Sequence, residues 1–209
     1  DAGGKIQTEP IRMELDKEGT VLIKSGSGDN VDTLLEIKSK EVATDSSGKG
    51  SVGAGSGAKV SGDFGSAFGN KASASAASAS AIGAESKASG VGSVSVGAKS
   101  QAGGSNSIGI GYTNEASGGG AGNSSTAIGT YAYASATGAT VLGGSTNSAT
   151  GLYSLAVSGY GNIASGDYSV ALTKANVSGD SSFGINLNAG GNRFDVTKKG
   201  TFAIGVSNN

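Results

Sequence analysis

The chain has 209 residues, among them 39 Gly and one Pro, with no Trp, Cys or His and a formal net charge of −1. The missing Cys excludes disulfides, and the missing His removes the commonest general base and the commonest metal ligand. Near-zero charge gives no pull toward nucleic acid or an anionic membrane, and no apolar run approaches the ~18 residues of a membrane span. The sequence opens on Asp1 with no signal-peptide pattern, so it reads as a processed product or a fragment.

Charge divides the chain into three parts. Residues 1–46 hold 6 basic and 10 acidic side chains, residues 47–190 hold 6 and 5, and residues 191–209 hold 3 and 1. In the first part, Met13-Glu14-Leu15-Asp16-Lys17-Glu18-Gly19-Thr20-Val21-Leu22-Ile23 alternates apolar and polar residues on either side of a Gly-closed turn. That is a β-hairpin signal. A third strand, Leu35-Glu36-Ile37, follows the loop Ser25–Asn30. The last part repeats the first pattern as Phe194-Asp195-Val196-Thr197-Lys198-Lys199-Gly200-Thr201-Phe202-Ala203-Ile204. We therefore expect an N-terminal hairpin module over 1–46 and a C-terminal hairpin cap over 191–209.

Between them a unit of about 14 residues recurs. Two apolar positions one residue apart, such as Val94/Val96, Ile108/Ile110 and Leu155/Val157, precede a small anchor. The anchor falls at Gly55, Gly69, Gly83, Gly97, Gly111, Gly129, Gly143, Ser158, Thr173 and Asn186, with gaps of 14, 14, 14, 14, 18, 14, 15, 15 and 13. A disordered Gly/Ser linker has no reason to return an aliphatic pair in fixed phase, so the period predicts a solenoid of stacked units. Alternation places both members of the pair on one side of a strand. After the anchor, small residues such as Ala72/Ala74 and Ala132/Ala134 continue the inward positions, and Ser-Gly-Asp at 61–63, 165–167 and 178–180 supplies corners. The 18-residue gap holds the Gly-rich stretch Gly118–Ser124, a loop bulging from the solenoid. So thin a coil buries little apolar area against ~1–2 kcal/mol of backbone entropy per residue, which points to several copies sharing their aliphatic faces.

The repeats Ser80-Ala81-Ile82-Gly83-Ala84-Glu85-Ser86-Lys87-Ala88 and Thr126-Ala127-Ile128-Gly129-Thr130-Tyr131-Ala132-Tyr133-Ala134 resemble the head repeat of YadA-like trimeric autotransporter adhesins. The resemblance covers residues 51–190. It implies a left-handed parallel β-roll of about ten turns over 47–190, assembled as a homotrimer with the aliphatic pair toward the threefold axis. It also implies an adhesin on the bacterial surface that binds host matrix proteins, host cells or other bacteria. No coiled-coil stalk or anchor barrel accompanies the repeats, and the flanking hairpins resemble those of phage tail fibres.

Catalysis finds little material in the repeats. Their acids are Asp63, Glu85, Glu115, Asp167 and Asp180, and the three Asp sit at corners, where carboxylates brace turns. No phosphate-binding loop, EF-hand or calcium nonapeptide occurs, so no catalytic, cofactor or metal residues are assigned. The outward positions are more informative. Lys59, Lys71, Lys87 and Lys99 lie at +4, +2, +4 and +2 from their anchors, and Tyr131, Tyr133 and Tyr160 at +2, +4 and +2. The lysines suit solubility or an anionic partner, and the tyrosines suit glycan stacking or a protein interface. The expected function is a non-enzymatic, extracellular fibre or adhesin module. Its partners would be copies of itself, a homotrimer with possible end-to-end assembly, and a host or cell-surface protein or glycan. Neither nucleic acid nor direct membrane insertion is expected. A phage tail-fibre segment on a virion and a self-assembling filament subunit are the alternatives.

Overall fold

The computed structural model describes residues 11–15, 21–27, 30–37, 45–117, 124–187 and 193–206. The chain forms two compact units, 1–42 and 43–209. In the first, β1 (Ile11–Leu15), β2 (Val21–Ser27) and β3 (Asn30–Ile37) make an antiparallel sheet in that order. Met13 faces Ile23 and Leu15 faces Val21, the pairing that the alternating pattern around Gly19 predicts. The third strand is longer than expected. It starts at Asn30 and runs back along β2, with one irregularity between Ile23 and Lys24.

In the second unit the strands run from β4 (Asp45–Ser46) to β25 (Phe202–Gly205), and even- and odd-numbered strands form separate parallel sheets of eleven among the described residues. Each coil of the chain contributes one short strand to each sheet. The odd sheet stacks its strands in register, Val94 lying over Ser80 and under Ile108, and Val96 over Ile82 and under Ile110, with one shift farther along. A coil of this size spaces its rungs at the inter-strand distance of about 4.8 Å. The chain is thus all-β, a parallel solenoid of about 14 residues per turn.

The interior explains the composition. Coil 66–79 points Ala67, Ala72, Ala74 and Ala79 inward, all fully buried. Elsewhere Ser95, Ser100, Ser107 and Val141 take the same positions. The two sheets lie too close for larger residues without local compensation. Where Val60 points in, the facing positions are Gly53 and Gly65, and a Cβ on either would lie 3.3 or 2.8 Å from a Val60 methyl. Val177 and Val196 likewise require Gly184, whose added Cβ would fall 2.7 and 3.0 Å from them. In such a core, adding one methylene meets a packed neighbour and not a void.

The residue between the two members of each aliphatic pair is the one that turns inward. The pairs themselves lie on the outer face of the odd sheet. The anchor after them is Gly for two reasons: at Gly97 φ is 117°, and a Cβ would sit 2.0 Å from the Gly111 carbonyl oxygen of the next coil. Later coils solve the same corner differently. The register shifts between Ile128 and Thr130 against the next strand, where Gly143 and Gly144 supply an extra residue. Ser158 follows with φ 59° and Thr173 with φ 49°, a left-handed region that a side chain can enter. These corners explain the drift of the anchor away from Gly.

The enlarged corners are held by buried asparagines. The Asn147 amide donates to the Gly143 carbonyl at 2.7 Å, and its Oδ1 accepts the Asn162 backbone N–H at 2.9 Å. Asn162 in turn accepts the Ala175 N–H at 3.1 Å and donates to the carbonyls of Ser158 and Val157. Asn114 donates to the Ile110 carbonyl and accepts the Ala132 N–H at 3.0 Å. In each case a side chain completes backbone bonding left open at the corner, which is lengthened at Asn147 and Asn162 and of ordinary length at Asn114.

The expected C-terminal hairpin is not formed. β24 (Phe194–Val196) pairs in parallel with Ala175–Val177 in the even sheet, and β25 pairs in parallel with Phe183–Asn186 in the odd sheet. Residues 194–205 are therefore one more coil. Strand-turn-strand alternation is common to a hairpin and a coil, and the open edge of the preceding coil supplies parallel partners that β1 and β2 do not have. Among the expected loop residues, 118–123 lie outside the described ones. Their flanks, Ser117 and Ser124, bond to the coils on either side through Ser117 N–H to the Ala134 carbonyl and Ser124 N–H to the Ser105 carbonyl.

Candidate interaction surface

The outer face of the odd sheet carries two columns, one mixing apolar and hydroxyl residues and one apolar. One runs Val94, Ile108, Thr126, Thr140, Leu155, Val170, Phe183, Phe202. The second is apolar at every rung from Phe68 through Ile82, Val96, Ile110, Ile128, Leu142, Val157, Leu172 and Ile185 to Ile204. Phe68, Ile82, Ile110, Leu142 and Ile204 are 37–48 % exposed. At the far end Phe183 and Phe202 stack with ring centroids 5.1 Å apart. A contiguous apolar strip of this length on one chain is the mark of an interface.

The opposite outer face, on the even sheet, is polar and irregular. Its column reads Asp45, Lys59, Ser73, Lys87, Gln101, Glu115, Tyr133, Ser148, Ile163, Asn176, Asp195. The seven residues singled out from sequence are exposed here and at the adjoining corner, but not in a single row. Lys59, Lys87 and Tyr133 stand in the strand column. Lys71, Lys99 and Tyr131 stand at the corner after the anchor, in left-handed backbone with φ of 55°, 57° and 52°. Tyr160 does not share the phase of Tyr131. The shift at Gly143/Gly144 brings it beside Ser145, which pairs with Thr130 and so continues the column of Tyr112. Tyr112 and Tyr131 meet edge to face at 5.8 Å.

One aromatic pair lies outside the expected rows. Tyr153 and Tyr168 stack at 5.5 Å on the other corner, both more than half exposed. Their signal was present in the sequence: Gly62-Asp63-Phe64, Gly151-Leu152-Tyr153 and Gly166-Asp167-Tyr168 place an aromatic at one corner position in three coils. The acids beside them brace the stack from coil to coil. Asp63 accepts the Lys49 N–H at 2.8 Å, Asp167 the Leu152 N–H at 2.9 Å, and Asp180 the Asp167 N–H at 3.1 Å. Each carboxylate ties down the coil before its own, where a turn within its own corner was expected. Among the described residues no group of three or more acids or other ligating side chains could hold a metal ion.

The YadA head domain repeat (2 copies) model matches residues 46–72, 74–100, 121–146 and 149–172. The chain belongs to the YadA head-repeat family. The matches span coils with both Gly-anchored and Asn-held corners, so the family pattern tolerates both. YadA heads are adhesin domains and not an enzyme family. No curated relative matches the chain.

Proposed function

We propose that this chain is a non-enzymatic YadA-head adhesin module that works outside the cell as a homotrimer. The carrying observation is the apolar column from Phe68 to Ile204, unbroken over ten rungs and partly exposed in the single chain. Three copies packing these faces about a common axis would bury the strip and supply the core that a roll filled with Ala and Ser lacks. The even-sheet faces then point away from the axis, three times repeated. Weak contacts made by three identical faces act together, so attachment to a host or cell-surface partner gains from avidity.

The test is surface plasmon resonance over immobilised matrix proteins, comparing the chain with Ile110→Asp/Leu142→Asp. Slow dissociation of the parent and loss of retention in the variant support the multivalent reading. Equal retention of both, or retention of neither on any matrix protein or cell surface, contradicts it.

A further inference from the structure

Five of the six lysines in residues 47–190 fall before Gln101, although the whole chain is slightly acidic. Three of them converge. Lys71, Lys87 and Lys99 line a shallow groove of about 380 Å³ together with Glu85, Gln101 and Thr113. The groove lies where the corner after the anchor meets the even sheet, on the side away from the apolar column, so the trimer proposed above leaves it open.

Like the opposite corner of the coils, where Phe64, Ser78, Tyr153 and Tyr168 have φ of 53–58°, the corner at this groove is left-handed backbone. Its column runs Gly57, Lys71, Glu85, Lys99, Thr113, Tyr131, Thr146, all with φ between 51° and 67°. Gly is the residue this conformation favours, and Gly57 shows that the column accepts it. Long side chains stand at Lys71, Lys99 and Tyr131 against that preference.

We propose that this groove, continued by Tyr131 and Tyr133, is a track for a linear acidic polysaccharide running along the stack of coils. Lys71 and Lys99 are two rungs apart, about 10 Å along the stack. That is about the length of a disaccharide in an extended chain. Lys87 reaches the same groove from the even sheet one rung between them. Beyond the lysines, Tyr131 and Tyr133 present rings on which a pyranose can lie. The inference names the ligand class for the adhesin surface and rests on that reading.

The experiment is calorimetric titration of the full chain with a heparin octasaccharide, with maltooctaose and an oligo-dT of equal length as comparisons. The expected result is binding to heparin alone at physiological ionic strength, about 0.15 M. Lys71→Gln/Lys87→Gln/Lys99→Gln weakens it about tenfold or more and flattens its salt dependence, while the matching Arg variant retains it. Tyr131→Ala/Tyr133→Ala weakens it several-fold with the salt dependence unchanged. Lys198→Gln/Lys199→Gln has no effect. An unaffected Gln triple variant, oligo-dT binding as tight as heparin, or binding lost at 0.15 M overturns the proposal. Weighing the same samples separates the two readings. A trimer that ignores heparin overturns the track alone, and a monomer that binds heparin overturns the trimer alone.

Discussion

The two outer faces of the roll are built on the same coils, share one interior and differ in what they repeat. On the odd sheet, the second outward column is apolar at every rung from Phe68 to Ile204. On the even sheet, the outward column changes from Lys to Gln to Glu to Tyr to Ser over the five successive rungs after Ser73 and returns no chemistry regularly. Backbone geometry is common to both, so it cannot be the source of the difference. Chemistry repeated at each rung suits a contact that is also repeated at each rung, which is what the proposed packing of copies supplies. Chemistry that varies along the stack serves contacts that occur once.

That contrast can be broken by placing charge on each face in turn. Ile110→Asp/Leu142→Asp puts two carboxylates in the apolar column. We expect it to abolish assembly and lower Tm by about 10 °C or more, as read by light scattering and thermal unfolding. Ser73→Asp/Ser148→Asp does the same to the even face, and we expect unchanged mass and a Tm within a few degrees of the parent. A comparable loss from both would erase the distinction between the faces.

A change in the shared interior must act regardless of face. Asn147→Ala removes the donor to the Gly143 carbonyl and the acceptor for the Asn162 N–H, both in the buried ladder. The expected cost is about 2–3 kcal/mol in denaturant unfolding of the assembled chain. Asp167→Ala removes one exposed bond to the Leu152 N–H, and we expect about 1 kcal/mol or less. At the small end, Tyr131→Ala/Tyr133→Ala leaves stability within about 0.5 kcal/mol and reduces adhesion. A fall in Tm with adhesion intact would reassign these rings to packing.

Much of this was legible from residues alone. The 14-residue return of Ile-x-Ile-Gly fixes the coil length, because in a parallel stack each residue must sit over its counterpart. The hairpin at Met13–Ile23 followed from alternation around Gly19. Alternation does not say which side of a strand is the interior, however. The thinness of the roll decides that, by admitting the Ala or Ser between the aliphatic pair and leaving the pair outside. The same limit explains Phe194–Ile204, whose local pattern matches Met13–Ile23 while its partners do not. A hairpin strand pairs with its sequence neighbour, and a coil strand pairs with a residue about 13 to 19 positions away. Tyr160 was misplaced by one position because counting from Ser158 ignored the residue added at Gly143/Gly144. The binding surface was the least legible part. Lys71 and Lys87 carry different offsets from their anchors, and only the turn of the corner brings them to one groove.

The assembly is the claim on which the rest stands, and light scattering in line with size-exclusion chromatography tests it most directly. The 209-residue chain should elute as a single species of three times its 19.9 kDa, unchanged at high salt because the contact is apolar. A folded species of 19.9 kDa, stable on dilution, would contradict the account, since the exposed column from Phe68 to Ile204 would then have no partner.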